Sequence, residues 1–421
     1  MKNIVCSCVA VLFLFFSHAA LAAPVTHGIS AGLLDIENVF NFDTNLATVT
    51  VSMAANNFEC SSANRGDFTV RVGMGPSSSY DVSQGILMAC VAENGRNNYQ
   101  TNVNYGTNAY PICSFELNTS GTYRIVTFLG GSTEYNVNVA GAYFPFDKYL
   151  CGRAFNALGN NGGANNTLIG SPGLVHGTHY KDLGSGISVV DLRSLGFDSR
   201  TDGILLATHA KEEDNFALVQ GTNDGTWRIY IKDNGESTAG DFEQDYVAFA
   251  FIPKTNTAVI SGRFLADGTP QMFSGTSPQF SVSVLGTGRW ELKVNGGSPT
   301  NGVLVISPEG GRSLNQDNIV NYQPNAAWDG WEIESRDTPA NGLQTPTGEP
   351  VVSFVYVPAA TPGFTVNPTT NLVTSGPGTS ASFDVTLHSK PASDVTINLS
   401  STDPGKGVPD PASITFTPGT W

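Results

Sequence analysis

The sequence predicts an all-β chain built of tandem β-sandwich domains. Three observations predict it: many short runs rich in β-branched and aromatic residues, tight-turn chemistry between them, and a duplicated pattern of motifs in the middle of the chain. The runs include residues 47–53, 68–72, 123–128, 227–232, 247–252, 280–285, 290–294, 302–306, 350–357 and 382–387. Between them stand Asn223-Asp224-Gly225, Asp233-Asn234-Gly235, Asp267-Gly268, Asn295-Gly296-Gly297 and Pro308-Glu309-Gly310-Gly311. Gly, Asn and Asp tolerate the positive φ that tight hairpins require. Many short strands with frequent turns point to sandwiches or barrels. Amphipathic helices are scarce, and residues 149–158 are the best short helical candidate.

The duplication is the most informative internal feature. Gly203-Ile204-Leu205-Leu206 is followed by Asp214-Asn215-Phe216, by Trp227-Arg228-Ile229 and by Phe249-Ala250-Phe251-Ile252-Pro253. Gly302-Val303-Leu304-Val305 is followed by Asp317-Asn318-Ile319, by Trp331-Glu332-Ile333 and by Phe354-Val355-Tyr356-Val357-Pro358. The gaps from Asp to Trp are 13 and 14 residues, and those from Trp to Pro are 26 and 27. Side chains alternate along a strand, so Trp-x-Ile and Phe-x-[Phe/Tyr] each place two large groups on one face. Trp227, Phe249, Phe251, Trp331, Phe354 and Tyr356 are therefore the expected repeat core. The closing proline cannot donate to a ladder and ends the pairing. A weaker third copy is suggested upstream, where Gly85-Ile86-Leu87-Met88 leads to Asn97-Asn98-Tyr99. It shows neither the Trp nor the closing Phe-x-Phe-x-Pro, and disulfides are the expected substitute anchor.

The amino terminus reads as an export signal. Lys2, an apolar run over residues 4–16 and Ala20-Leu21-Ala22 predict cleavage after Ala22. That run is shorter than the roughly 20 residues a spanning helix needs, and no later stretch is longer, so no transmembrane segment is expected. The predicted localisation is secreted or cell-surface. Four cysteines remain after cleavage: Cys60, Cys90, Cys113 and Cys151. An even count in an oxidising compartment predicts two disulfides, with the pairing open. The net charge of −15 disfavours nucleic acid as a partner. Only 14% of residues are charged, and Gly, Asn, Ser and Thr take their place. With 40% apolar residues the chain is not of the disordered class.

The tail is a different module. Phe364-Thr365-Val366-Asn367-Pro368, the strand pattern Ala381-Ser382-Phe383-Asp384-Val385-Thr386-Leu387, Asp394-Val395-Thr396-Ile397 and Pro411-Ala412-Ser413-Ile414-Thr415-Phe416-Thr417-Pro418 follow in order. Here the chain resembles the Ig-like and Calx-β-like repeats of bacterial secreted and surface proteins. Members continue with one more strand, and a missing strand leaves an exposed edge. The module is therefore expected to be truncated at Trp421, with strand donation by a partner as the rival. The middle repeats resemble duplicated β modules of large bacterial secreted proteins that have no assigned activity. The expected organisation is a signal peptide (1–22), a disulfide-stapled β domain (23–148), a Gly/Asn-rich linker (149–172), two β repeat units (173–270 and 271–358), a linker (359–363) and the Ig-like domain (364–421).

Chemistry is sparse in the sequence. His176-Gly177-Thr178-His179 is the only close His pair, without a third ligand in a metal spacing. Asp233-Asn234-Gly235-Glu236 with Asp241 and Glu243 is oxygen-rich but does not match an EF-hand, and it reads as a hairpin turn. Lys211-Glu212-Glu213-Asp214 reads as a solvated loop. The repeated pairs Asp214-Asn215 and Asp317-Asn318 read as turns, with a ligand or calcium loop as the alternative. No nucleophile elbow or nucleotide fingerprint occurs, so no catalytic residues and no cofactor other than that calcium alternative are assigned. The expected function is a non-catalytic adhesive, binding or spacer protein, with glycans or cell-surface proteins as partners. Two alternatives stand beside it. One is the accessory region of a secreted hydrolase whose catalytic domain lies beyond residue 421. The other is a lectin-like site stacking sugars on Trp227 or Trp331.

Overall fold

The computed structural model describes residues 2–7, 29–37, 48–55, 58–64, 66–72, 82–93, 110–118, 121–129, 137–155, 167–234, 241–311, 317–338, 342–348, 350–359, 363–370, 372–373, 379–387, 394–405 and 407–417. Two compact units result, one of residues 27–72 and 80–359, the other of 1–26, 73–79 and 360–421. Strand β1 (Lys2–Ser7) belongs to the second of these.

The larger unit repeats one topology three times. The first copy comprises β2 (Ser30–Glu37), β3 (Thr48–Ala55), β4 (Phe58–Asn64), β5 (Asp67–Val72), β6 (Gly85–Val91), β7 (Pro111–Leu117), β8 (Tyr123–Leu129) and β9 (Val139–Pro145). Its two antiparallel sheets have the orders β3-β2-β9-β6 and β4-β5-β8-β7. The second copy comprises β10 (Leu150–Phe155), β11 (Thr167–Gly170), β12 (Tyr180–Gly184), β13 (Ile187–Val190), β14 (Gly203–His209), β15 (Asn215–Gly221), β16 (Trp227–Asp233) and β17 (Val247–Pro253), in the orders β11-β10-β17-β14 and β12-β13-β16-β15. The third comprises β18 (Ile260–Phe264), β19 (Pro270–Phe273), β20 (Phe280–Gly286), β21 (Arg289–Val294), β22 (Gly302–Pro308), β23 (Ile319–Pro324), β24 (Trp331–Arg336) and β25 (Val352–Pro358), in the orders β19-β18-β25-β22 and β20-β21-β24-β23. Residues 150–155 are therefore a strand where a short helix was expected, because Cys151 and Ala154 are drawn into the sandwich. Residues 150–155 and 167–170 belong to the second sandwich, within the expected linker, and residues 260–270 pair into the third.

The same three contacts build each copy. Gly85, Gly203 and Gly302 open β6, β14 and β22 opposite Pro145, Pro253 and Pro358. A Cβ on any of these glycines would collide with the ring two residues before that proline, namely Tyr143, Phe251 or Tyr356. The ring lies against Tyr123, Trp227 or Trp331, at centroid distances of 6.0, 5.1 and 5.6 Å. The first copy is thus complete, with Tyr123 at the tryptophan position and Gly141-Ala142-Tyr143-Phe144-Pro145 as its closing motif. Gly141 replaces the phenylalanine found at 249 and 354, and Phe58 fills the space. Asn97-Asn98-Tyr99, expected to match the Asp-Asn motif, lies outside the described residues. By register from Leu117 opposite Tyr123 and Gly221 opposite Trp227, the counterpart of Asp214-Asn215 is Tyr110-Pro111.

The three sandwiches close into a ring. Strands β6, β14 and β22 are apolar runs without alternation, and nearly every residue in them is buried. Such a strand needs cover on both faces. Each takes one face from its own sandwich and the other from its two counterparts, which it touches directly. The sixth residue of each reaches the backbone of the fifth in the preceding copy. Thr208 Oγ1 lies 3.4 Å from Ala89 N and 3.3 Å from Ala89 O. Ser307 Oγ lies 3.0 Å from Ala207 N and 3.1 Å from Ala207 O. Ile306 N donates to Cys90 Sγ at 3.4 Å, which closes the circle. Below it, Ile112, Phe216 and Ile319, one from each copy, share a cluster with Phe128 and Leu218. A void of only about 40 Å³ is left at this junction.

The C-terminal unit contains β26 (Phe364–Asn367), β27 (Ala381–Leu387), β28 (Val395–Asn398), β29 (Val408–Asp410) and β30 (Ser413–Phe416). Its core gathers Phe383, Val385, Leu387, Leu399, Ile414 and Phe416. The sheet order is β26-β27-β1-β29, so Lys2–Ser7, expected as part of a signal peptide, is here a strand paired with β27 and β29. No helix among the described residues is long and apolar enough to cross a membrane.

The ring contacts make a direct prediction. Ser307→Ala leaves backbone groups of Ala207 without their partner and should destabilise the larger unit by about 1–3 kcal/mol. Cys90→Ser should be tolerated, since Thr208 and Ser307 already place hydroxyls at that position. Denaturant unfolding followed by tryptophan fluorescence compares the two variants.

Candidate functional site

The sequence-predicted residues fall into three groups. Trp227, Phe249, Phe251, Trp331, Phe354 and Tyr356 are all buried, as expected of a repeat core. Burial of both tryptophans removes them as stacking platforms for a sugar. Of the expected His pair, His179 is satisfied on both ring nitrogens, by Val175 N at 3.0 Å and Ser194 Oγ at 3.0 Å.

The cysteines do not staple the first domain. Cys60, Cys90, Cys113 and Cys151 carry thiols, not disulfides. Cys60, Cys90 and Cys113 lie on β4, β6 and β7 of the first sandwich, whereas Cys151 lies on β10 of the second. Cys90 is a ring contact. Cys151 Sγ approaches the carbonyls of Phe144 and Tyr149 at 3.5 and 3.7 Å. Burial pushes the Cys90 and Cys151 thiols up to about 12 and raises Cys113 strongly, which leaves them inert as nucleophiles. Alkylation of the native protein should therefore label Cys60 ahead of the other three, and unfolding without reductant should expose all four to the reagent, as read by intact mass.

The two Asp-Asn pairs meet different surroundings. Asp317 is buried, its Oδ1 has no hydrogen-bond partner, and neither has Asn318 Nδ2. Burial raises the Asp317 carboxyl to about 6, with Asp337 adding to the rise and Lys232 of the second sandwich opposing it. Lys232 is itself pulled down to about 8 by burial and lies 4.8 Å over the Phe242 ring. The equivalent of Lys232 is Arg336, which sits 5.1 Å over Tyr110 of the first sandwich. Lys232 with Asp317 and Arg336 with Tyr110 are contacts between copies. The folded chain holds the Asp317 proton more tightly than the unfolded one, so this stability is present below pH 3.8 and lost as pH rises through 6. Thermal denaturation across that window should show a loss of at most about 3 kcal/mol, reduced in Asp317→Asn.

Asn215 is buried, donates to Asp245 Oδ2 at 3.2 Å, and has no partner for Oδ1. Asp245 also takes His209 Nε2 at 2.9 Å. Glu213, expected in a solvated loop, comes within reach of both. Residues 235–236 of the expected oxygen-rich hairpin lie outside the described residues.

A cleft that sequence reasoning missed opens between the second and third sandwiches, with a volume of about 570 Å³. Arg200, Arg228, Arg263, Gln220 and Gln271 line it, with one carboxylate, Asp224, beside them. Gly221 on β15 lets Arg263 approach, since a Cβ there would stand 2.8 Å from Nη1. Arg263 Nη2 donates to Ser199 O at 3.1 Å, Nη1 faces Glu309 Oε2 at 3.9 Å, and Nε is buried without a partner. Arg200 is forked onto Asp198. Arg228 has no hydrogen bond or ion pair among the described residues. Arg200, Arg228 and Arg263 are far apart in sequence, so no local motif marks them. No family model, curated protein or solved structure matches the chain.

Proposed function

We propose that the larger unit is a non-catalytic binding module of a secreted or cell-surface protein, and that its ligand is an acidic glycan held in the cleft between the second and third sandwiches. The signal-like amino terminus and the low-charge, Gly/Asn/Ser/Thr-rich composition support the compartment. One observation carries the ligand class: Arg228 faces the cleft with its charge unmatched, on a chain whose net charge is −15. A guanidinium fork matches a carboxylate or sulfate in two parallel hydrogen bonds. Gln220 and Gln271 add amide groups suited to sugar hydroxyls. A cleft of about 570 Å³ is within the usual size of a small-ligand site. The closed ring holds both walls of the cleft in place, which lowers the ordering cost of binding.

Titration calorimetry with uronate and sulfated oligosaccharides, against neutral oligosaccharides and inorganic sulfate, tests this reading. The acidic oligosaccharides should bind best, and Arg228→Ala should weaken them at least tenfold with the melting temperature unchanged. Equal binding of sulfate and oligosaccharide, or no effect of Arg228→Ala, would overturn it.

A further inference from the structure

The geometry points to a transition-metal site in the second sandwich, formed by His209, Glu213 and Asp245 with the side-chain oxygen of Asn215, that takes a divalent cation such as zinc. His209 ends β14, Asn215 begins β15, Glu213 lies in the turn between them, and Asp245 precedes β17. One ligand atom from each of His209, Glu213 and Asp245 lies within 4.8 Å of the others. Bound zinc holds nitrogen and oxygen ligands at about 2.0–2.2 Å, which puts ligand atoms roughly 3–4 Å apart. Glu213 is half-exposed and closes the remaining distance by a change of rotamer.

Four observations separate this cluster from a surface group of acids. First, His209 and Asp245 are buried, and their counterparts in the sister sandwiches are Val91 and Pro308, and Val137 and Pro350, by the register of β6, β14 and β22 against β9, β17 and β25. The fold is built twice without a polar residue at either place. Second, Asn215 Oδ1 is buried with no partner, and its carboxamide is anchored at the cluster by the bond to Asp245. The amide nitrogen faces Asp245 at present, and a flip of the carboxamide would turn the unpartnered oxygen to a cation held there. Third, His209 Nδ1 has no partner either, so nothing pins the tautomer. Nε2 can present its proton to Asp245 or its lone pair to a cation that Asp245 shares.

Fourth, a positive charge already stands there. Lys211 Nζ lies 2.7 Å from Glu213 and 3.8 Å from Asp245, on a side chain 38% exposed that is free to swing into solvent. An imidazole nitrogen among oxygens favours zinc or manganese over calcium, which prefers an all-oxygen shell.

The test is calorimetric titration of chelator-treated full-length protein with zinc, manganese and calcium chlorides, with cobalt absorption as a second readout. Zinc should bind with a stoichiometry of one, at least tenfold tighter than calcium. Glu213→Gln, isosteric and half-exposed, should weaken it at least tenfold without unfolding the protein. Lys211→Met should tighten it by removing the competing ammonium. Cobalt should give a visible ligand-field band that His209→Gln abolishes. Absence of stoichiometric binding, zinc binding indifferent to Glu213→Gln, or calcium as tight as zinc would each overturn the assignment.

Discussion

The structure depends on the need of three strands, β6, β14 and β22, to be covered on both faces. Each is a glycine followed by an unbroken apolar run, and a single sandwich covers only one side of it. Leaving the other side wet would cost about 1.5–3 kcal/mol for each large side chain. Mutual cover by the three strands satisfies all of them at once. The Thr208, Ser307 and Cys90 contacts then fix the angular relation, because each copy's sixth residue must meet the backbone of its predecessor. Cys90 works there as a hydrogen-bonding partner that also packs like an apolar group, which is why it is not spent on a disulfide.

Closing the ring determines where polar groups can be useful. The sandwich cores are nearly the same three times over, and they bury the aromatic residues that the repeat shares. Differences between copies accumulate at the junctions and at the strand ends beside them. Lys232 meets Asp317 across one junction, and Arg336 meets Tyr110 across another. Arg228 and Arg263 face each other's sandwich across the cleft, and His209 and Asp245 stand where the sister copies are apolar. Repetition supplies the frame, and departures from it supply the chemistry.

Much of the frame was legible in the sequence. The strand runs and the Gly, Trp and Phe-x-[Phe/Tyr]-x-Pro motifs carry period-2 information that the chain displays locally. The first copy was harder to see, because its substitutions are compensated in space. Gly141 replaces a phenylalanine only because Phe58, more than eighty residues upstream, fills the gap. Tyr123 replaces a tryptophan because its hydroxyl donates to Gly85 O at 3.0 Å. The charge run at 211–214 looked solvated because a sequence does not show that Asp245 and Arg124 stand opposite it.

The sequence by itself therefore determined the β class, the repeat unit and the shared aromatic residues of the second and third copies, since alternation and turn chemistry act over neighbouring residues. Only the tertiary structure decided that the repeats are three and close on one another, that the cysteines stay as thiols, and that three arginines share a cleft. The physical reason is the same in each case. Burial on a second face, the fate of a thiol and the meeting of charges are set by groups distant in the chain, and sequence spacing carries no record of them.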